Sequence, residues 1–256
     1  MKERTLNVTT QDGVMPTFVT YPEREGDFPA IVLYMDVWGL REELFDVARR
    51  IATVGYYCAV PDLYYRFGEN VHHEFRDANG RMMSLEILDD ERKSRVRAPM
   101  FNLSDTMVVD DTGALIDCFN KGEPVRAGAM GAVGYCMGGR HVFRVAGSFP
   151  DRFKGCASLH GTRLVTEGSD SPHLTAARAQ GEVYCGYAEH DPFAPLPHIQ
   201  VIADTLKASQ AKHSYVLHKG AHHGYALPDR DIHDKQAANR DWERMFAMWR
   251  RQMRAG

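Results

Sequence analysis

The stretch Gly134-Tyr135-Cys136-Met137-Gly138-Gly139 constrains the fold more than any other part of this chain. It follows the apolar run Ala129-Met130-Gly131-Ala132-Val133 and precedes a helix. Glycines two residues to either side of a cysteine suit a sharp strand-to-helix turn, where larger side chains would collide as the backbone reverses direction. Such a turn lifts the central side chain out of the sheet and sets the first N–H groups of a helix beside it. The arrangement is G-x-nucleophile-x-G with Cys as the nucleophile, and it belongs in a sheet whose strands lead into helices.

The rest of the chain agrees. Ala30–Met35 is a continuous apolar run, as expected of a strand covered on both faces. A helix follows from about Arg41, with Leu44, Val47, Ala48, Ile51 and Ala52 at helical spacing and Gly55 at its end. Tyr57–Pro61 is the next strand, and strand-helix-strand order calls for parallel pairing. Cys156–His160, Val183–Tyr187 and Ser214–His218 read as further strands. Leu6–Thr9 and Thr17–Tyr21 form a hairpin turned at Asp12-Gly13. Helices are expected near 104–119, despite Gly113, and from about Asp234 to Met253 with Trp242, Met245, Phe246 and Trp249 on one face. Residues 66–103 are charged and weakly periodic, and read as an excursion with a short helix near 81–97 that covers one end of the sheet. With no internal repeat or linker, residues 1–256 are expected to form one domain.

Composition excludes several functions. Thirty-one basic against 34 acidic residues leave a net charge of −3, without the basic excess of a nucleic-acid binder. No apolar run approaches the ~18 residues of a membrane span, so no membrane partner is expected. The five cysteines, at 58, 118, 136, 156 and 185, contain no CxxC pair, which points to a reduced, cytoplasmic protein. Neither His72-His73-Glu74 nor His222-His223 has metalloprotease spacing, so neither metal nor cofactor is expected. A monomer or small homo-oligomer is the expected assembly.

Two further stretches carry chemistry. Asp191 directly follows the strand that ends near Tyr187, and a carboxylate at the end of a parallel strand can orient an imidazole. His222 and His223 follow the last strand, where a general base would stand. Adjacent residues cannot both face one nucleophile, so spacing alone leaves the two open. The order nucleophile, acid, base is that of the α/β-hydrolases.

With these residues the chain resembles the dienelactone hydrolases, cysteine-dependent α/β-hydrolases also called carboxymethylenebutenolidases. The resemblance rests on Asp36-Val37-Trp38-Gly39, Gly55-Tyr56, Val60-Pro61-Asp62-Leu63-Tyr64, the Cys136 turn, Asp191 and His223-Gly224-Tyr225. It implies an α/β-hydrolase fold: a mostly parallel, doubly wound sheet with an N-terminal antiparallel hairpin and helices on both faces. It also implies nucleophile Cys136, acid Asp191 and base His223, the latter because a small and then an aromatic residue follow it. The backbone N–H groups of Val37 and Met137 would form the oxyanion hole. The implied substrate is a small ester or lactone, cleaved through a thioester. A non-catalytic ligand-binding protein on the same scaffold is the alternative. Two departures stand out. Asp36 occupies a position where the family has Glu facing the thiol, so Asp36 and Trp38 are expected to tune the thiol or bind substrate. No arginine lies immediately after His223, and Arg230 comes only later, which suggests a substrate less anionic than dienelactone. Arg66, Arg81, Arg92 and Arg95 lie in the divergent excursion and cannot be matched to the family's other arginines.

Overall fold

The computed structural model describes residues 1–69 and 71–253. The fully apolar segments form the middle of an eight-stranded sheet: β3 (Ala30–Tyr34), β4 (Tyr57–Pro61) and β5 (Met130–Tyr135) are buried throughout. β1 (Lys2–Thr10) and β2 (Gly13–Tyr21) make the hairpin, with Gly13 opening β2 at φ 141°. The turn therefore falls on Gln11 and Asp12, one residue earlier than Asp12-Gly13. β6 (Phe153–Leu159), β7 (Glu182–His190) and β8 (Lys212–His222) complete the order β1-β2-β4-β3-β5-β6-β7-β8. Among the strands of this sheet, β1–β2 and β2–β4 pair antiparallel and the others parallel.

Helices cover both faces. α1 (Glu42–Thr53) and the C-terminal α7 (Lys235–Gln252) meet where Arg50 lies over Trp242 at 4.2 Å. α7 buries Trp242, Met245 and Trp249 of the stripe read from the sequence and leaves Phe246 half-buried against the core, and Asp234 caps it by accepting from the Gln236 and Ala237 N–H groups. α3 (Asp105–Phe119) packs with α4 (Met137–Ser148), and Ser104 caps α3. Gly113 is accommodated inside α3.

One local expectation needs correction, and two helices were missed. The helix of the excursion is α2 (Asp90–Asn102), later in the chain than 81–97, because Asp89 provides its cap by accepting from Arg92 N–H. Residues 81–84 instead run extended along residues 229–231. Two helices were not read from the sequence: the single-turn α5 (Pro172–Ala176) and α6 (Leu196–Lys207), both of which begin at prolines. Residue 70 of the excursion and residues 254–256 lie outside the described residues.

Parallel pairing brings the C-terminal ends of β3, β5, β6, β7 and β8 to one edge. β3 lies between β4 and β5, where the strand order reverses, the position at which open α/β sheets place their ligands.

Candidate active site

Cys136 joins β5 to α4 at φ 55° and ψ −115°, a conformation that costs a non-glycine residue about 1–3 kcal/mol. The flanking glycines are required by contact. A Cβ on Gly134 would lie 2.1 Å from the Gly138 carbonyl oxygen, and one on Gly138 2.1 Å from that of Tyr34. Cys136 itself is 7% exposed. Burial pushes the thiols of Cys156 and Cys185 up to about 12, and raises those of Cys58 and Cys118 as well.

The loops after β7 and β8 bring Asp191 and His223 together. His223 Nδ1 lies 2.8 Å from Asp191 Oδ2, while Asp191 Oδ1 accepts from Phe193 N–H at 2.8 Å. The Asp191 side chain is buried and that of His223 is 9% exposed. His223 Nε2 makes no well-aligned hydrogen bond, yet the Cys136 sulfur is near enough to influence the ring. Burial pulls the imidazole pKa down, but Cys136 and Asp191 outweigh it and hold it at about 10. His222 is exposed and its ring lies 5.0 Å from that of His190, away from this pair. Behind the loop, Tyr225 is anchored by donating to buried Asp241 at 2.6 Å; Asp241 also pairs with Tyr184 and His218.

Val37 lies in the loop after β3, and Met137 is the first residue of α4. Met137 N–H belongs to a first helical turn, which has no intrahelical acceptor to offer. Val37 N–H makes no hydrogen bond among the described residues. The Tyr64 hydroxyl touches both residues, donating to Val37 O at 3.1 Å and lying 3.6 Å from Met137 Sδ. Asp36 is fully buried, and its carboxylate accepts from Arg41 and from Trp38 N–H. Among the described residues no hydrogen bond joins Asp36 to Cys136.

Some site residues escaped the sequence reading. His160, at φ 37°, accepts the Cys136 N–H through Nδ1 at 3.1 Å, a bond shared with Leu159 O. Its ring stands edge-on to His223, centroids 5.1 Å apart. Burial first, then His223 and Arg230, hold its pKa well below the usual histidine range, so the ring is neutral. Arg230 is 4% exposed, lies over Trp38 at 5.3 Å, and has an Nε without a partner. It follows His223 by seven residues, but the turns at 224–230 bring it back over the site. The excursion supplies an apolar cap: Met82, Leu88 and Val96 pack in one cluster with Val37, Trp38 and Cys136. Among the described residues no group of His, Cys, Asp and Glu could hold a metal ion, and no helix is long and apolar enough to cross a membrane.

The model of the dienelactone hydrolase family matches residues 15–253. The chain belongs to the dienelactone hydrolase family. A "Putative carboxymethylenebutenolidase" of Methylorubrum extorquens is 27% identical over 245 residues, covering 94% of this chain and 78% of the relative. One of Saccharolobus solfataricus is 26% identical, covering 87% and 89%. Among solved structures, a dienelactone hydrolase-like promiscuous phosphotriesterase from metagenomic libraries has a TM-score of 0.78 at 17% identity, covering 98% of both chains. The dienelactone hydrolase from Anabaena variabilis has a TM-score of 0.66 at 13% identity, covering 99% of both chains. These structures share the fold. Membership of the family makes this dienelactone hydrolase relative a hydrolase acting on esters or lactones.

Proposed function

We propose that the chain hydrolyses activated carboxylic esters or enol lactones through a Cys136-His223-Asp191 triad and a thioester intermediate. The observation that carries the reading is the Asp191–His223 bond, with Nε2 left open beside the Cys136 turn. Asp191 holds the proton on Nδ1, so Nε2 faces Cys136 and takes the thiol proton, giving a thiolate beside an imidazolium, the form that the raised His223 pKa favours. The thiolate attacks the acyl carbon, and the N–H groups of Val37 and Met137 stabilise the oxyanion. The carbon–oxygen bond to the leaving group breaks, and the imidazolium returns its proton to the departing oxygen. Water then attacks the thioester, giving a proton to His223, and the carbon–sulfur bond breaks to release the acid. A thiolate leaves more readily than an ordinary alkoxide, so acylation goes forward best when the leaving group is an enolate or phenolate.

The residues packed around Cys136 refine the substrate. The cluster of Met82, Leu88, Val96 and Trp38 against Cys136 favours an apolar body, and the buried guanidinium of Arg230, with an unused donor, favours a carboxylate on it. On this reading the substrate carries a carboxylate, where the sequence alone suggests a less anionic one. The test compares a neutral aryl ester with one bearing a carboxylate. Arg230→Met is expected to lower kcat/KM on the anionic ester by about 100-fold, equivalent to losing roughly 3 kcal/mol of a charged hydrogen bond, and to spare the neutral one. Equal losses on both would reject the carboxylate role. Full turnover of both by Cys136→Ala would reject the mechanism.

A further inference from the structure

Arg41 joins two loops that reach the site from opposite ends of the chain. It is 4% exposed. Its Nη1 and Nη2 donate to Asp36 Oδ1 and Oδ2 at 2.8 and 2.9 Å, while Nε and Nη2 donate to Asp229 Oδ2 and Oδ1 at 2.7 and 3.4 Å. One planar guanidinium thus forks onto two carboxylates, a geometry that a lysine ammonium cannot reproduce.

Each carboxylate controls a different part of the site. Asp36 Oδ1 accepts from Trp38 N–H at 3.1 Å and its carbonyl accepts from Gly39 N–H at 3.3 Å, which closes the turn carrying Val37. On the other side, Asp229 O accepts from Met82 N–H at 2.7 Å. Asp231 N–H donates to Met82 O at 3.0 Å, and the Asp231 carboxylate takes both the N–H and the hydroxyl of Ser84. Residues 229–231 therefore hold the apolar cap and present Arg230 between two of these bonds. Buried charges are expensive to desolvate, and removing one partner from such a set leaves uncompensated charge.

We propose that Arg41 is a positioning residue, holding the Val37 loop in register with the 229–231 segment that carries Arg230 and the cap. The inference rests on the catalytic reading above, and Arg41 touches neither substrate nor reacting atoms in it. It also gives Asp36 a partner other than the thiol.

The experiment measures kcat and KM on p-nitrophenyl acetate for wild type, Arg41→Lys, Arg41→Met and the neutral triple variant Asp36→Asn/Arg41→Met/Asp229→Asn. Melting temperature and the rate of Cys136 alkylation by iodoacetamide are recorded for each. The triple variant buries no unpaired charge, so its folding does not depend on the missing guanidinium. Its kcat is expected to fall between about 10- and 100-fold, the scale of a small misplacement of a catalytic donor, with KM and alkylation rate held within about threefold. Arg41→Lys should fall between wild type and the triple variant. In Arg41→Met two carboxylates face each other without a countercharge, so one stays protonated until the pH rises. Its kcat should fall with rising pH well below the limb that His223 gives wild type near pH 10, and adding Asp229→Asn should remove that earlier fall. Should Arg41→Met fail to fold, the lysine and triple variants carry the test alone. A folded triple variant with wild-type kcat, or one that changes KM only, overturns the positioning role. Wild-type turnover by a Cys136→Ala control would instead overturn the catalytic reading.

Discussion

Replacing Asp191 by Asn tests how the base is held, because the structure dictates which way the new amide must face. Asp191 Oδ1 accepts from Phe193 N–H and Oδ2 faces His223 Nδ1, both at 2.8 Å. An asparagine has only one acceptor oxygen, and Phe193 N–H requires it. The NH2 group then points at His223 Nδ1, which must become an acceptor, so the ring proton moves to Nε2. In that tautomer His223 turns a donor toward Cys136 and cannot take its proton. Restoring the productive tautomer sets two N–H groups face to face, forfeiting a hydrogen bond in a buried site at about 1–3 kcal/mol. Loss of the charged bond to the imidazolium adds about 1.5–3 kcal/mol. Together these give roughly 3–6 kcal/mol, or about 10²- to 10⁴-fold in rate at about 1.4 kcal/mol per decade. Steady-state kinetics on p-nitrophenyl acetate would show the loss in kcat, with melting temperature checked beside it. A variant that melts like wild type and retains kcat within about tenfold would refute the tautomer argument.

Other consequences follow from the same geometry. His223→Ala should lower kcat by at least about 10²-fold, whereas exposed His222→Ala should cost little; the opposite result in proteins of equal melting temperature would move the base to His222. The His223 pKa is raised from 6.5 to about 10 in the folded protein, so its contribution to stability is complete below 6.5 and lost as pH rises through about 10. Wild type should therefore lose more melting temperature across that window than His223→Gln does, and parallel curves would deny the shift. Gly134→Ala would force a Cβ to within 2.1 Å of the Gly138 carbonyl oxygen; it should destabilise by about 3 kcal/mol or more in a denaturant melt, and a neutral outcome would mean that the turn relaxes easily.

The sheet was legible because β3, β4 and β5 are buried on both faces and so read as unbroken apolar runs. The helix α6 was not, because Pro195 and Pro197 at its start read as a loop. The excursion hid its helix for another reason: α2 buries only Val96 and Pro99, too few apolar positions to show a period. At the site, Cys136, Asp191 and His223 each lie just past a strand, within a short motif that the sequence displays. Arg41, His160 and Arg230 have no such local mark. Arg41 meets Asp229 across 188 residues of chain, and His160 is a strand end whose imidazole matters only because β6 lies beside β5. The exposure of His222 follows from how β8 ends and not from either neighbour's identity.

The central claim is that Cys136 carries the acyl group. Rapid acid quench of the wild-type enzyme turning over an aryl ester, followed by proteolysis and mass spectrometry, tests it directly, since a thioester survives in acid. One acyl addition is expected, on the peptide containing Cys136, with the four thiols raised by burial unmodified. Acyl transfer to a different residue, or turnover unchanged after Cys136→Ala, would contradict it.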